Sequence, residues 1–227
     1  MAQPVLHTYW RSSCSYRLRI ILSFKQLSYT SVPVHLVRGG GEQHSEAYRA
    51  LNPSRKVPTL EVDGHVLVQS TAIAEYLEET HPEPSLLPGD ASARAHIRAL
   101  CCCISNDIQP LGNLATLQYF AAKQAPGEAS APEVKEARAA ATSEWARHWI
   151  GVGFAALEAL LAPRAGRFCV GDAFTMADAF LAPQVYNASR FGVDMAPYPT
   201  IVRVMAEIEK HPAVVAAHPA AQPDAEK

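Results

Sequence analysis

A short polar turn near the start of the chain carries the residues best suited to chemistry. Two hydroxyls and a thiol follow one another at Ser12, Ser13 and Cys14, between an apolar segment over 4–10 and an apolar pattern over 18–27 that predicts a helix. The start of a helix presents unpaired N–H groups and the positive end of the helix dipole, so it suits an anion. We predict that this turn holds a thiolate, which belongs either to the protein or to a bound cofactor.

The composition limits the other classes of function. With 227 residues, 48% of them hydrophobic, the chain can build one or two domains with a substantial core. A net charge of −2 gives no overall attraction to nucleic acid or to an anionic membrane, so we expect neither partner. No apolar run approaches the roughly 20 residues of a membrane span. Five cysteines, an odd number, without a secretory signal indicate reduced thiols and a cytoplasmic protein.

The three consecutive cysteines Cys101, Cys102 and Cys103 do not predict a metal site. Successive residues of a helix point about 100° apart, so these three thiols cannot converge on one ion. The histidines show neither an HExxH motif nor a paired spacing with cysteine. We therefore expect no metal.

The elements around the turn follow the order β-α-β-α-β-β-α. The apolar patterns and turn signals place them at 5–10, 14–27, 29–36, 43–51, 57–62, 65–69 and 70–81. Pro33 predicts an edge strand, Asp63-Gly64 predicts a tight hairpin, and Ser70 is a good N-cap for the last helix. This order is typical of a thioredoxin-like domain, in which the chemistry lies at the start of the first helix.

The rest of the chain is helical in pattern. We predict a thioredoxin-like α/β domain over 1–82, a proline-rich linker over 83–89 and an all-α domain over 90–227. Pro110 predicts a break in the helical segment 91–124, and a second long helix covers 133–161. Thr175 and Asp178 have the spacing of a capping box, another helix covers about 200–210, and we expect the tail after His218 to be frayed.

Several motifs, in their order and spacing, resemble the zeta class of cytosolic glutathione transferases over nearly the whole chain. They are the S-S-C-S-x-R run at 12–17, A-L-N-P at 50–53 with V-P-x-L at 57–60, Q-S at 69–70, Q-P-L-x-N-L at 109–114, and 170–178 with Pro183-Gln184-Val185 and Arg190-Phe191. The loop 125–132 looks longer than the family's, and Ala115 stands where a hydroxyl residue is common.

The resemblance implies a fold, a cofactor and its binding residues. The fold is an α/β thioredoxin-like domain followed by an all-α domain, the assembly is a homodimer, and the cofactor is glutathione. Ser13 would donate a hydrogen bond to the glutathione sulfur, with Ser12 and Cys14 beside it as catalytic neighbours. A cis peptide bond before Pro58 would let the Val57 backbone pair with glutathione. The other implied contacts are Ser15, Arg17, Gln43, Gln69, Ser70, Gln109 and Asn113.

The resemblance also implies glutathione-dependent isomerisation of maleylacetoacetate, a dicarboxylate, to fumarylacetoacetate in tyrosine and phenylalanine catabolism. Arg11, Arg17 and Arg190 are the candidates for binding its carboxylates, because arginine binds a carboxylate in bidentate fashion. Haloacid dehalogenation and glutathione transfer would be side activities. Two alternatives stay open: a maleylpyruvate isomerase, and a thiol oxidoreductase that uses Cys14 in a monothiol cycle. A binding module without activity is a third, which the intact set of contact positions disfavours.

Overall fold

We describe the protein from a computed structural model over residues 3–226. Its N-terminal part, up to Thr80 and called the first half below, is built on a four-stranded mixed sheet. The sheet order is β2-β1-β3-β4, with β1 and β2 parallel and the other two pairs antiparallel. Its elements are β1 Val5–Thr8, α1 Ser13–Phe24, β2 Thr30–Pro33, α2 Glu46–Leu51, β3 Thr59–Val62, β4 His65–Val68 and α3 Ser70–Thr80.

Two local sequence features explain the hairpin between β3 and β4 and the edge position of β2. Asp63 and Gly64 both have positive φ, 52° and 80°, and they join β3 to β4 as the predicted hairpin. β2 lies at the edge of the sheet, as Pro33 predicted, because a residue without an N–H cannot donate to a second neighbour. The strands are shorter than predicted: β2 stops at Pro33 rather than at Leu36, and β3 begins at Thr59 rather than at Val57.

Two details near α2 and α3 differ from the prediction. The expected helix over 43–51 is divided into a 3₁₀ turn, Glu42–His44, and α2. Ser70 is not the N-cap of α3 but its first residue, and Gln69 occupies the cap position with a φ of 70°. The Ser70 hydroxyl instead accepts a hydrogen bond from Arg17, and it does not cap the backbone of its own helix.

The second half of the described chain is helical. The predicted break at Pro110 is confirmed: α4 ends at Cys102, a π-helical turn and a 3₁₀ turn cover 103–112, and α5 starts at Leu114. The capping box of Thr175 and Asp178 is also confirmed. The helices are α4 Ala91–Cys102, α5 Leu114–Gln124, α6 Pro132–Leu161, α7 Met176–Arg190, α8 Pro199–Ile208 and α9 Pro212–Ala217. None of them is both long and apolar enough to cross a membrane.

The segment between the halves is packed rather than loose. Leu86 and Leu87 are buried in the core that both halves share. The Glu78 carboxylate accepts hydrogen bonds from the N–H groups of both leucines and forms a 2.7 Å ion pair with the buried Lys25. Glu78 therefore anchors the connecting segment to the first half, and the two leucines of that segment lie in the apolar core that the two halves share.

Helix α1 is the centre of the molecule. It packs against α3 of its own half and against α7 and α9 of the helical half. Leu18, Ile20, Ile21 and Leu22 are completely buried, as expected for a helix between two layers. This burial on both sides fixes the position of its first turn, where the reactive residues lie.

Residues 219–226 of the C-terminal tail pack against the rest of the protein, so the prediction of fraying was wrong for them. After a 3₁₀ turn at Pro219–Ala221 the chain returns to the first half. The Asp224 carboxylate accepts a hydrogen bond of 2.9 Å from the Trp10 N–H, and Glu226 lies 2.8 Å from the His35 ring. These contacts join positions about 200 residues apart, which no local sequence pattern can indicate.

Candidate active site

The polar turn is built so that one hydroxyl caps the helix and the next one is free. Ser12 is the N-cap of α1, and its Oγ accepts a hydrogen bond from the Ser15 N–H at 3.2 Å. Ser13 is the first helical residue, and its side chain makes no hydrogen bond to any described residue. It lies in the wall of a cavity of about 280 Å³ between the two halves. The Ser13 hydroxyl can therefore donate to a ligand.

Many of the predicted site residues meet in this cavity. The first half contributes the turn, the loop after β2 and the segment before β3, and the helical half contributes the 3₁₀ turn at 109–112 and the end of α7. The predicted residues in its wall are Arg11, Ser12, Ser13, Cys14, Gln43, Val57, Gln109, Asn113 and Arg190.

Gln43 has an unused acceptor at this cavity. Its Nε2 donates to the Leu36 carbonyl at 3.2 Å, while its buried Oε1 has no partner in the protein. A side chain at Gly41 would collide with the Gln43 amide, which lies 2.5 Å from the position of a Cβ there. Gly41 thus makes room for a glutamine that can accept from a ligand amide.

The predicted residues Ser15, Arg17, Pro58, Gln69 and Ser70 lie outside the cavity wall. Ser15 is completely buried, and its Oγ accepts from the Tyr9 N–H at 3.4 Å, so its role is to hold the turn. The Val57–Pro58 peptide bond is cis, as the resemblance implied. Gln69 is exposed, with its positive φ at the start of α3.

Arg17 requires a correction. We expected it to bind a substrate carboxylate, but its side chain is only 2% exposed and lies behind the first turn of α1. Its guanidinium lies 3.8 Å from the centre of the Phe180 ring and donates to the Ser70 Oγ at 2.8 Å. A substrate in the cavity cannot touch it. The sequence pattern places an arginine near the site without telling which side of the helix it faces.

The charged arginine and lysine side chains in the cavity wall make it positive. Its wall contains Arg11, Arg55, Lys56 and Arg190, and none of the described lining residues is Asp or Glu. Burial and the positive charge of Arg11 lower the pKa of the Arg190 guanidinium. Two arginines near each other without a lining carboxylate favour an anionic ligand. The sequence analysis did not predict Arg55 and Lys56 as site residues. Their position directly before the Val57-Pro58 motif could have indicated them.

The remaining cysteines do not form a reactive cluster. Cys101 is buried, Cys102 is exposed and Cys103 is buried on another side, as expected for successive helical residues. Burial raises the pKa of the Cys101 and Cys169 thiols well above the ordinary value, so both are neutral and unreactive. Within residues 3–226 no group of three His, Cys, Asp or Glu side chains could hold a metal ion.

Comparison with known proteins agrees with this architecture. Residues 11–80 match the family model "Glutathione S-transferase, N-terminal domain", and residues 153–216 match "Glutathione S-transferase, C-terminal domain". The chain is 48% identical to a probable maleylacetoacetate isomerase of Drosophila melanogaster over 98% of this chain and 90% of that one.

Two solved structures are also similar. One is the holo structure of a bacterial zeta-class maleylpyruvate isomerase, with a TM-score of 0.88, 43% identity, and coverage of 98% of this chain and 100% of that one. The other is a maleylacetoacetate isomerase from Anaeromyxobacter dehalogenans with glutathione bound in its active site. It has a TM-score of 0.84 and 44% identity, and the match covers 99% of this chain and 98% of that one. The chain therefore belongs to the glutathione S-transferase family, within its zeta class of maleylacetoacetate and maleylpyruvate isomerases.

Proposed function

We propose that the protein is a glutathione-dependent cis–trans isomerase that converts maleylacetoacetate to fumarylacetoacetate. The observation that carries the proposal is the cavity itself, where a free serine hydroxyl at a helix start faces a wall with four cationic side chains and no described carboxylate. A relative that is 48% identical over nearly the whole chain is named as a probable maleylacetoacetate isomerase.

The residues of the cavity fit glutathione as the cofactor. Gln43 Oε1 is buried without a protein partner and can accept from a peptide N–H, which a tripeptide supplies. The cationic side chains Arg55 and Lys56 suit its carboxylates. Gln109 and Asn113 approach from the helical half and would contact the sulfur side of the cofactor or the second substrate.

The chemistry divides between the cofactor and the protein. Bound glutathione would supply a thiolate that adds reversibly to the conjugated cis double bond, so that the resulting single bond can rotate before the thiolate leaves. The Ser13 hydroxyl would donate to the sulfur at the positive end of α1, which favours the thiolate over the thiol. Arg11 and Arg190 would each bind a substrate carboxylate and stabilise the negative charge that develops on the substrate oxygen.

The direct test is the rate of isomerisation with and without glutathione in a thiol-free buffer. The proposal predicts turnover that requires glutathione in catalytic amounts and leaves its concentration unchanged. Turnover without glutathione would overturn it. The Cys14 alternative makes a different prediction, namely reduction of a glutathione mixed disulfide that is lost in Cys14→Ser and kept in Ser13→Ala.

Maleylpyruvate is the second candidate substrate. The similarity to a maleylpyruvate isomerase at a TM-score of 0.88 favours this alternative, since both substrates are cis dicarboxylates that suit the same arginine pair. The ratio of kcat/KM for the two substrates under identical conditions decides between them. We propose maleylacetoacetate as the better substrate, and a higher kcat/KM for maleylpyruvate would reverse the assignment.

We also propose a homodimer in the cytoplasm that acts in tyrosine and phenylalanine catabolism. Val66 on the edge strand β4 and Tyr119 on α5 are exposed apolar side chains that a partner subunit could cover. All five cysteines are free thiols, which suits a reducing compartment. Light scattering after size-exclusion chromatography tests the dimer: a mass of one chain at micromolar concentration would contradict it.

A further inference from the structure

Asn187 is a half-buried polar residue in the wall of the cavity. It lies on α7, one helical turn before Arg190, so the two side chains are neighbours on one face of the helix. The Asn187 Oδ1 accepts a hydrogen bond from the Arg190 Nη1 at 3.2 Å. The amide is therefore held directly beside the guanidinium that the proposed function assigns to a substrate carboxylate.

This bond fixes the orientation of the Asn187 amide. A guanidinium has only hydrogen-bond donors, so the amide oxygen faces Arg190 and the NH₂ group faces away from it. The Nδ2 atom makes no hydrogen bond to any residue over 3–226. Asn187 therefore keeps its N–H donors for a ligand in the cavity.

The other amide side chains of the cavity wall are held differently. The Asn113 Oδ1 accepts from the Ala115 N–H at 3.2 Å, as the N-cap of α5. Gln43 donates to the Leu36 carbonyl. Among the described lining amides, Asn187 alone is bonded to a lining arginine. Its donors and the cationic guanidinium thus form a fixed pair.

The substrate of the proposed reaction has one more oxygen to bind than its two carboxylates. Its maleyl group carries a carboxylate and a conjugated carbonyl on the two carbons of a cis double bond, and a second carboxylate ends the molecule. Arg11 and Arg190 account for the carboxylates, so the carbonyl oxygen needs another donor. In the cis isomer the carbonyl lies on the same side of the double bond as the adjacent carboxylate. In the trans isomer it lies on the opposite side.

We propose that Asn187 donates a hydrogen bond to the conjugated carbonyl oxygen of the substrate and, together with Arg190, recognises the cis arrangement of the maleyl group. This inference rests on the proposed isomerase function. When the sulfur–carbon bond forms beside the carboxylate, the electron pair of the double bond moves to this carbonyl oxygen, and the pair returns when the sulfur–carbon bond breaks. The Asn187 N–H stabilises the negative charge on the oxygen between these two events. The trans product cannot use both donors at once, which favours its release.

Titration calorimetry of the full-length protein with maleate and fumarate tests the recognition of the cis arrangement. Both ligands are small dicarboxylates, and they differ only in the cis or trans position of their carboxylates. Saturating S-methylglutathione is present, because it has no free thiol and cannot add to either ligand. We expect the wild-type protein to bind maleate about tenfold more tightly than fumarate.

Replacement of Asn187 by leucine removes both polar groups of the amide and keeps the size of the side chain. We expect Asn187→Leu to weaken maleate about tenfold and fumarate less than about threefold. At saturating glutathione, kcat/KM for maleylacetoacetate should decrease about 10- to 100-fold. Asn187→Ala is a second variant with the same expected losses, and alanine is the residue most favourable to the helix α7.

Asn106→Leu is the matched control. Asn106 is an exposed asparagine outside the cavity, and its Oδ1 also accepts one hydrogen bond, from the Ser105 hydroxyl. We expect this variant to bind both dicarboxylates as the wild type does.

The outcomes separate this inference from the proposed function. Equal weakening of maleate and fumarate in the Asn187 variants would mean that Asn187 only orients Arg190, and it would overturn the inference. Unchanged maleate affinity in both variants, or a wild-type protein without a preference for maleate, would overturn it as well. Absence of glutathione-dependent turnover in the wild type would instead overturn the proposed function.

Discussion

Replacement of Arg190 by methionine tests how the site recognises its substrate. Methionine keeps much of the side-chain volume and removes the charge. Arg190 lies at the end of α7 in the cavity wall, and burial and Arg11 together hold its pKa down. A lost charge-assisted hydrogen bond to a carboxylate costs about 1.5–3 kcal/mol, which corresponds to a decrease in kcat/KM of about 10- to 150-fold.

The same substitution should leave stability nearly unchanged. It removes a hydrogen bond of 3.2 Å to Asn187 and contacts with the Tyr186 and Phe191 rings, but it also removes the repulsion by Arg11. We expect the free energy of unfolding to change by less than about 1 kcal/mol. On this reasoning Arg190 contributes to substrate binding and adds little to the stability of the fold.

The assay is steady-state isomerisation at saturating glutathione, with denaturant unfolding of the same preparations. Arg147→Met is the control, because Arg147 is an exposed arginine on α6 outside the cavity. We expect no change in kcat/KM for the control and an unchanged dissociation constant for glutathione in both variants. A decrease of less than threefold in Arg190→Met would refute the argument that Arg190 binds a substrate carboxylate.

Two further predictions concern contacts that support the site. Lys25→Met breaks the buried ion pair with Glu78 and should lower the free energy of unfolding by about 3 kcal/mol, whereas breaking the exposed pair of Lys210 should cause no comparable loss. Burial would raise the Glu78 pKa, but hydrogen bonds from Lys25 and Leu86 hold it below its usual value, so this stabilisation is present at neutral pH and lost as the pH falls below about 4. Unfolding curves at pH 7 and at about pH 3 check both points; equal stability of wild type and Lys25→Met at pH 7, or an undiminished difference between them at the lower pH, would contradict them. Asp224→Ala removes the acceptor of the Trp10 N–H beside the reactive turn and should weaken glutathione binding about fivefold, for a loss of about 1 kcal/mol. Unchanged affinity by calorimetry would show that the tail does not support the turn.

The sequence predicted the features that depend on nearby residues. The hairpin at Asp63-Gly64, the capping box of Thr175 and Asp178, and the break near Pro110 follow from local backbone chemistry, and the structure has all three. The polar turn was also placed correctly at the start of α1.

The features that depend on tertiary contacts were missed. Whether Arg17 faces the cavity or the core is decided by Phe180 and Ser70, which lie far away along the chain. The order of the tail depends on Asp224 reaching Trp10. Ser70 has the residue type of an N-cap, but the conformation of Gln69 places it one position further into the helix. In the first two cases a partner distant in sequence decides the outcome, and in the third the backbone conformation of a neighbouring residue does.

The ionisation of bound glutathione in Ser13→Ala tests the central claim most directly. Thiolate absorbance in the ultraviolet, followed against pH, gives the thiol pKa in the complex. Loss of the Ser13 donor should raise that pKa by about one to two units and lower turnover at pH 7 about 10- to 100-fold. Ser12→Ala is the comparison, because Ser12 caps α1 and its loss should mainly cost stability of about 1 kcal/mol. An unchanged thiol pKa and unchanged turnover in Ser13→Ala would contradict the account.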